Sequence, residues 1–98
     1  MARDFERRVC TRLRSRYAEQ LSGTSDEDLT ERVRAGISRA EHHGIELESD
    51  INRFLDLNIE YGMDFDVSEW AQPILNDINL SGTRKIAALD DIATFQER

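Results

Sequence analysis

The sequence predicts an all-α fold: a compact bundle of about five helices, the fourth short and Pro-containing, in one domain over residues 1–98. Three observations carry this. Apolar residues recur every three or four positions along the chain, the spacing of one helix face. No stretch alternates apolar and polar residues as a half-buried strand would. Glycines and short polar capping residues divide the periodic stretches, and there is a single proline.

The first helix is expected over about residues 3–21. Phe5, Val9, Leu13, Tyr17 and Leu21 repeat every fourth position, with arginines around the stripe. Gly23 then suits a left-handed stop. Thr24 or Ser25 caps the second helix, and Asp26, Glu27 and Asp28 favour the positive end of its dipole. Its stripe is Leu29, Val33, Gly36, Ile37 and Ala40, where Gly36 and Ala40 leave a shallow face for a close neighbour. It runs to about His43, and Gly44 ends it.

The third helix is expected from Leu47 to Tyr61. Leu47, Ile51, Phe54, Leu55, Leu57, Ile59 and Tyr61 make a wide apolar arc, so this helix should be central. The polar strip (Asn52, Arg53, Asp56, Glu60) is narrow, and Gly62 follows as a stop. A connection over 63–67 leads to a fourth helix starting near Asp66 or Ser68. Asp66 and Glu69 have capping-box spacing, and Pro73 should kink or tighten the helix from within. After a link at 76–80, Ser81 caps a fifth helix running to about residue 97. Ile86, Leu89, Ile92 and Phe95 point inward, with Ala93 sharing the face. Short links favour antiparallel neighbours. The expected core includes Val33, Ile37, Ile51, Phe54, Leu55 and Trp70.

Charge narrows the function classes. The net charge is −7, but residues 1–16 carry six arginines against Asp4 and Glu6, a balance of +4, and the remainder carries −11. An acidic body argues against nucleic acid as the main partner. The Arg-rich first helix, with Arg7, Arg8 and Arg12, could touch RNA, DNA or anionic lipid, but it is expected to dock on the chain's own acidic body or on an acidic partner. No apolar run is long enough for a membrane span, and no secretory leader is expected. One cysteine, Cys10, cannot form an internal disulfide, which fits a reducing, cytoplasmic setting.

Four constellations could carry chemistry. Asp64-x-Asp66-x-Ser68-Glu69 hints at a calcium loop, but from Asp64 the sixth position is Glu69 and the twelfth is Leu75, where Gly and Glu are needed. His42 and His43, near Glu41, Glu46 and Glu48, are adjacent and diverge by about 100° on a helix. With two histidines and one cysteine, a tetrahedral zinc site lacks ligands. Cys10 lies beside the Val9–Leu13 stripe and reads as a half-buried structural thiol. The carboxylates form no pocket-like set, and no phosphate-cradling glycine motif occurs. No catalytic residue, cofactor or metal is therefore expected. Phe65 and Trp70 would pin the fourth helix to the third and, where exposed, would anchor a partner.

One pattern goes beyond periodicity. From SDEDLTERVRAGISRAEHHGIELESDINRFLDLNIEYGMDFD through SEWAQPILNDINLSGTRKIAAL, about residues 25–89, the chain resembles small helical proteins of Gram-negative bacteria associated with type VI secretion effector clusters. Its stations are Leu29, Gly36, Ala40, Gly44, Ile45, Glu48, Ile51, Phe54, Gly62, Phe65, Trp70, Ala71, Ile74, Leu75 and Lys85. The first helix lies outside it. The resemblance implies a non-enzymatic, cytoplasmic protein-binding module, an accessory chaperone or adaptor for a secreted effector or a spike component. Its alternative is an immunity protein that blocks a cognate toxin. A homo-oligomer is compatible with either.

Overall fold

The computed structural model describes residues 3–62 and 64–96, and the chain is all helical. In order it forms α1 (Arg3–Arg16), α2 (Asp26–His42), α3 (Glu48–Tyr61), a 3-10 turn (Phe65–Val67), the short α4 (Gln72–Leu75) and α5 (Gly82–Gln96). No strand occurs among the described residues, and no described helix is long and apolar enough to cross a membrane. Each element packs on its neighbour in sequence, and α5 returns to α3. The result is a slab of 36 × 33 × 18 Å.

The stripes behave as their spacing demands. Phe5, Val9, Leu13, Tyr17 and Leu21 are all buried, as are Leu29, Val33, Ile37 and Ala40. Gly36 serves the close approach expected of it: a Cβ there would run into Leu55 of α3. Ile51, Phe54, Leu55 and Leu57 are buried, and α3 touches α2, the 3-10 turn and α5, so it is the central helix. Ile86, Leu89 and Ala93 form the inward face of α5. The Phe95 side chain and Met63 lie outside the described residues.

The ends of elements differ where tertiary contacts compete with local signals. α1 stops at Arg16, not near residue 21. The Arg14 guanidinium donates to the carbonyls of Leu21 and Thr24 and draws residues 17–23 into turns. Two helical bonds persist through them, Tyr17 N to Leu13 O at 2.8 Å and Leu21 N to Tyr17 O at 3.0 Å. The stripe thus stays buried although the helix has ended. Gly23 has no positive φ; Gly44 (81°) and Gly62 (105°) do. At Gly44 the chain makes the paired stop expected of such a glycine, Ile45 N to Ala40 O and Gly44 N to Glu41 O, both at 3.0 Å. Ser25 caps α2 by accepting from Asp28 N at 3.1 Å.

The fourth helix is later and shorter than its sequence suggests. It begins at Gln72, so Pro73 sits in its first turn, where the missing N–H costs nothing and no kink follows. Asp66 caps nothing; it is buried and taken by Arg39. Leu47, expected in the apolar arc, is 59% exposed because it precedes the first turn of α3. Trp70 is only partly buried, its ring 5.4 Å from Tyr61 and 6.1 Å from Phe65. Trp70→Ala is therefore expected to cost about 2 kcal/mol, less than the loss typical of a fully buried Trp. A urea melt checks this; a loss below about 1 kcal/mol would show that Trp70 contributes to a surface and little to the core.

Candidate functional site

The most elaborate polar arrangement sits where the C-terminal end of α2 meets the 3-10 turn. Phe65 is buried against Phe54, with ring centroids 4.9 Å apart, and this carries the adjacent Asp66 inward. A carboxylate so buried needs a cation. Arg39 provides it as a fork: Nε donates to Oδ2 at 3.0 Å and Nη2 lies 2.8 Å from Oδ1. His43 Nε2 lies 3.3 Å from the same Oδ2. Asp64 stands at the rim, 3.4 Å from Arg39 Nη1. The His43 ring leans on Phe54 at 6.3 Å, and its backbone carbonyl accepts from the buried Lys85 at 2.8 Å. The last turn of α2, the 3-10 turn and α5 are thus tied together by charge.

A cleft of about 440 Å³ opens over this pair, with His42, His43, Asp66, Val67, Gln72 and Asn76 among its walls. A His–Asp pair in a cleft resembles part of a catalytic triad, but the geometry lacks the rest. Asp66 is neutralised by Arg39, and neither imidazole receives a hydrogen bond from Ser38 among the described residues, although Ser38 also faces the cleft. No group of three His, Cys, Asp or Glu side chains is placed to hold a metal among the described residues. The Asp64–Asp66 pair is an arginine receptor in this fold, and the His42–His43 rings meet edge to face at 5.5 Å.

The five residues nominated as partner contacts separate. Phe65 is 3% exposed and offers a partner no surface, because Phe54 and Trp70 enclose it. Arg12 is also engaged internally: its Nη1 is 2.7 Å from Asp56 Oδ1, and its Nη2 bonds Asn52 Oδ1 at 3.2 Å. Arg8 is exposed, lying over the Phe5 ring and 3.7 Å from Glu48. Arg7 is exposed beside a groove of about 450 Å³ between α1 and α2, and Trp70 is half-buried. Cys10 lines the same groove. Burial pushes its thiol up, against the lowering effect of a hydrogen bond with Thr30, so it stays a protonated structural thiol.

One network escaped the sequence reading. Asp56, taken as part of a polar strip, is buried and held by Arg12; Arg53 lies 3.9 Å from it and 3.5 Å from Glu60, and also pairs with Asp90 of α5. The Tyr17 hydroxyl donates to Glu60. Arg32 donates to the Oδ1 of the buried Asn58 at 2.9 Å and to its carbonyl at 2.8 Å. A signal was present: Arg12 and Arg16 repeat at i+4 on the first helix, as do Asp56 and Glu60 on the third. Complementary charges at matched spacing can face each other across two helices.

The network has a consequence at alkaline pH. Burial, with the hydrogen bond to Glu60 and the nearby carboxylates, pushes the Tyr17 phenol up to about 12. The folded state thus holds that proton more tightly than the unfolded chain, whose phenol titrates near 10. Its contribution is complete below about pH 10 and is lost as pH rises toward 12. Unfolding free energy measured across this window should fall, and Tyr17→Phe should flatten the fall. An equally steep fall in the variant would place its cause elsewhere.

No family model matches the chain, and neither a curated protein nor a solved structure does. Most stations of the resemblance have structural work in this fold. Leu29, Ala40, Ile45, Ile51, Phe54, Phe65, Ala71 and Leu75 are buried, Gly36 admits Leu55, Gly44 and Gly62 take positive φ, and Lys85 ties α5 to α2.

Proposed function

We propose that the protein is a non-enzymatic, cytoplasmic module that binds another protein, acting as an accessory chaperone or adaptor for a type VI secretion effector or spike component. One observation supports this most: many of the positive charges are spent inside the molecule, whereas most carboxylates are not. Arg12, Arg14, Arg32, Arg39 and Arg53 bond the chain's own carboxylates and carbonyls. Among the described residues, twelve carboxylate side chains then stand exposed against five arginines. Such a surface steers a basic partner and repels polyanions. The resemblance over residues 25–89 supports the secretion setting. The same acidity favours the second reading, an immunity protein, because carboxylates can occupy a phosphate-binding toxin site.

The test is a tagged pull-down from the native cell at moderate salt, then a toxicity-rescue assay. Capture of an effector or spike component in stoichiometric amount is expected, weakening as salt approaches about 1 M, where charges are screened beyond roughly 3 Å. Rescue of cells from a captured toxin would assign the immunity role. A blank from folded, monodisperse protein would remove both readings.

A further inference from the structure

We infer that the partner docks on one end of the slab, where the α2–α3 corner meets the α4–α5 link, and that it presents a basic amphipathic segment there. This rests on the protein-binding reading above and gives it a surface. Three large apolar side chains stand exposed: Leu47 (59%), Val67 (55%) and Ile78 (93%). Far apart in sequence, they belong to segments that the fold brings to one end. Val67 shares the cleft wall with His42, His43 and Asn76. Ile78 follows Asn76 by two residues, in the link that leads into α5. The first residue of α5, Gly82, is pressed so closely on the α2–α3 corner that a Cβ there would lie 2.5 Å from the Gly44 carbonyl oxygen and 2.8 Å from Ile45 Cα. Lys85 bonds the His43 carbonyl, and Thr83 bonds Asp50 at 2.7 Å. Leu47 leaves that same corner.

Charge decides the occupant. Glu41, Glu46 and Asp77 lie next in sequence to His42, Leu47 and Ile78, Glu69 follows Val67 by two residues, and Asp64 stands at the rim paired with Arg39 of the cleft wall. All but Asp77 are exposed, and Arg84 is the exposed arginine in the adjoining first turn of α5. Apolar side chains within an acidic rim match a segment with apolar residues flanked by Lys or Arg. A second copy would set two acidic rims against each other, and an anionic lipid surface would be repelled in the same way. The cleft beside Val67 gives an apolar anchor somewhere to enter, and a few such anchors carry most of an interface's energy.

The test places a photo-reactive p-benzoylphenylalanine at position 78 and, separately, at position 31 on the exposed face of α2, in the cell that makes the protein. Cross-linked peptides are then sequenced. A cross-link from position 78 to a segment rich in Lys or Arg with interleaved apolar residues is expected. Its yield should drop about tenfold when Leu47→Ser and Val67→Ser are combined. Both side chains are exposed, so an unchanged helical circular dichroism signal is expected and is the check on folding. Cross-links from position 31 alone would overturn this surface and leave the protein-binding reading standing. No protein cross-link from either position would overturn both. A cross-link from position 78 to a second copy, to lipid or to an acidic segment, or a yield indifferent to the double substitution, would overturn the inference.

Discussion

Phe54→Ala is expected to lower the unfolding free energy by about 3–5 kcal/mol, the range for deleting a fully enclosed aromatic side chain. Phe54 has no exposed surface, meets the Phe65 ring at a tilt with centroids 4.9 Å apart and supports the His43 ring at 6.3 Å. It lies on the central helix, with α2 on one side and the 3-10 turn on the other. The cavity left behind would touch both, and neither can collapse into it without moving Asp66 away from Arg39. Small domains have about 5–15 kcal/mol of stability in total, so the variant should be marginal. The urea midpoint is the readout, with the slope unchanged if unfolding stays two-state. A loss below about 1.5 kcal/mol would mean that the 3-10 turn is free to fall inward, contrary to the charge ties drawn above.

Gly82→Ala should cost about 2–3 kcal/mol. Elsewhere in a helix this change gains stability, because glycine loses more backbone freedom on folding. At position 82 the new methyl would meet backbone, the Gly44 carbonyl at 2.5 Å and Ile45 Cα at 2.8 Å. Backbone held by the Gly44 stop cannot rotate aside as a side-chain tip can. α5 would have to lift, and the Lys85–His43 and Thr83–Asp50 bonds would stretch with it. Gly23→Ala is the matched control: nothing lies within 4 Å of its Cβ, and its φ is not positive. It should change stability by no more than about 0.5 kcal/mol. Equal effects at the two positions in thermal or urea melts would refute the close approach.

These two residues mark what the sequence could and could not disclose. Phe54 was legible as core because its burial follows from the period of one helix. The α2 stripe was legible for the same reason, as was Ser25, whose cap is made three residues away. Gly82 was not, because the atoms that crowd it lie nearly forty positions earlier in the chain. Asp66 looked like a local cap until Arg39, distant in sequence, took its carboxylate. Arg14 likewise ended α1 early by bonding carbonyls seven and ten residues ahead. Phe65 was legible as a pin between the turn and α3, but whether it also kept a surface for a partner was not, because composition cannot say on which side of a turn a ring will fall. Ile78 was not legible as a surface residue, because a lone apolar residue in a link shows nothing until its neighbours in space are known.

The order of packing also bears on how the chain acquires this form. α1 meets α2, α2 meets α3, and α3 meets the turn that leads through α4 to α5, so nearly every helix finds its neighbour over a short loop. The return of α5 to α3, sealed by Arg53 with Asp90 and by the Tyr61 hydroxyl on the Ala93 carbonyl, closes the largest loop. Chains with such local connectivity fold in roughly microseconds to milliseconds. During synthesis the α1–α2 hairpin can collapse as soon as it leaves the ribosome, while α3 waits for α5 to seal its remaining face.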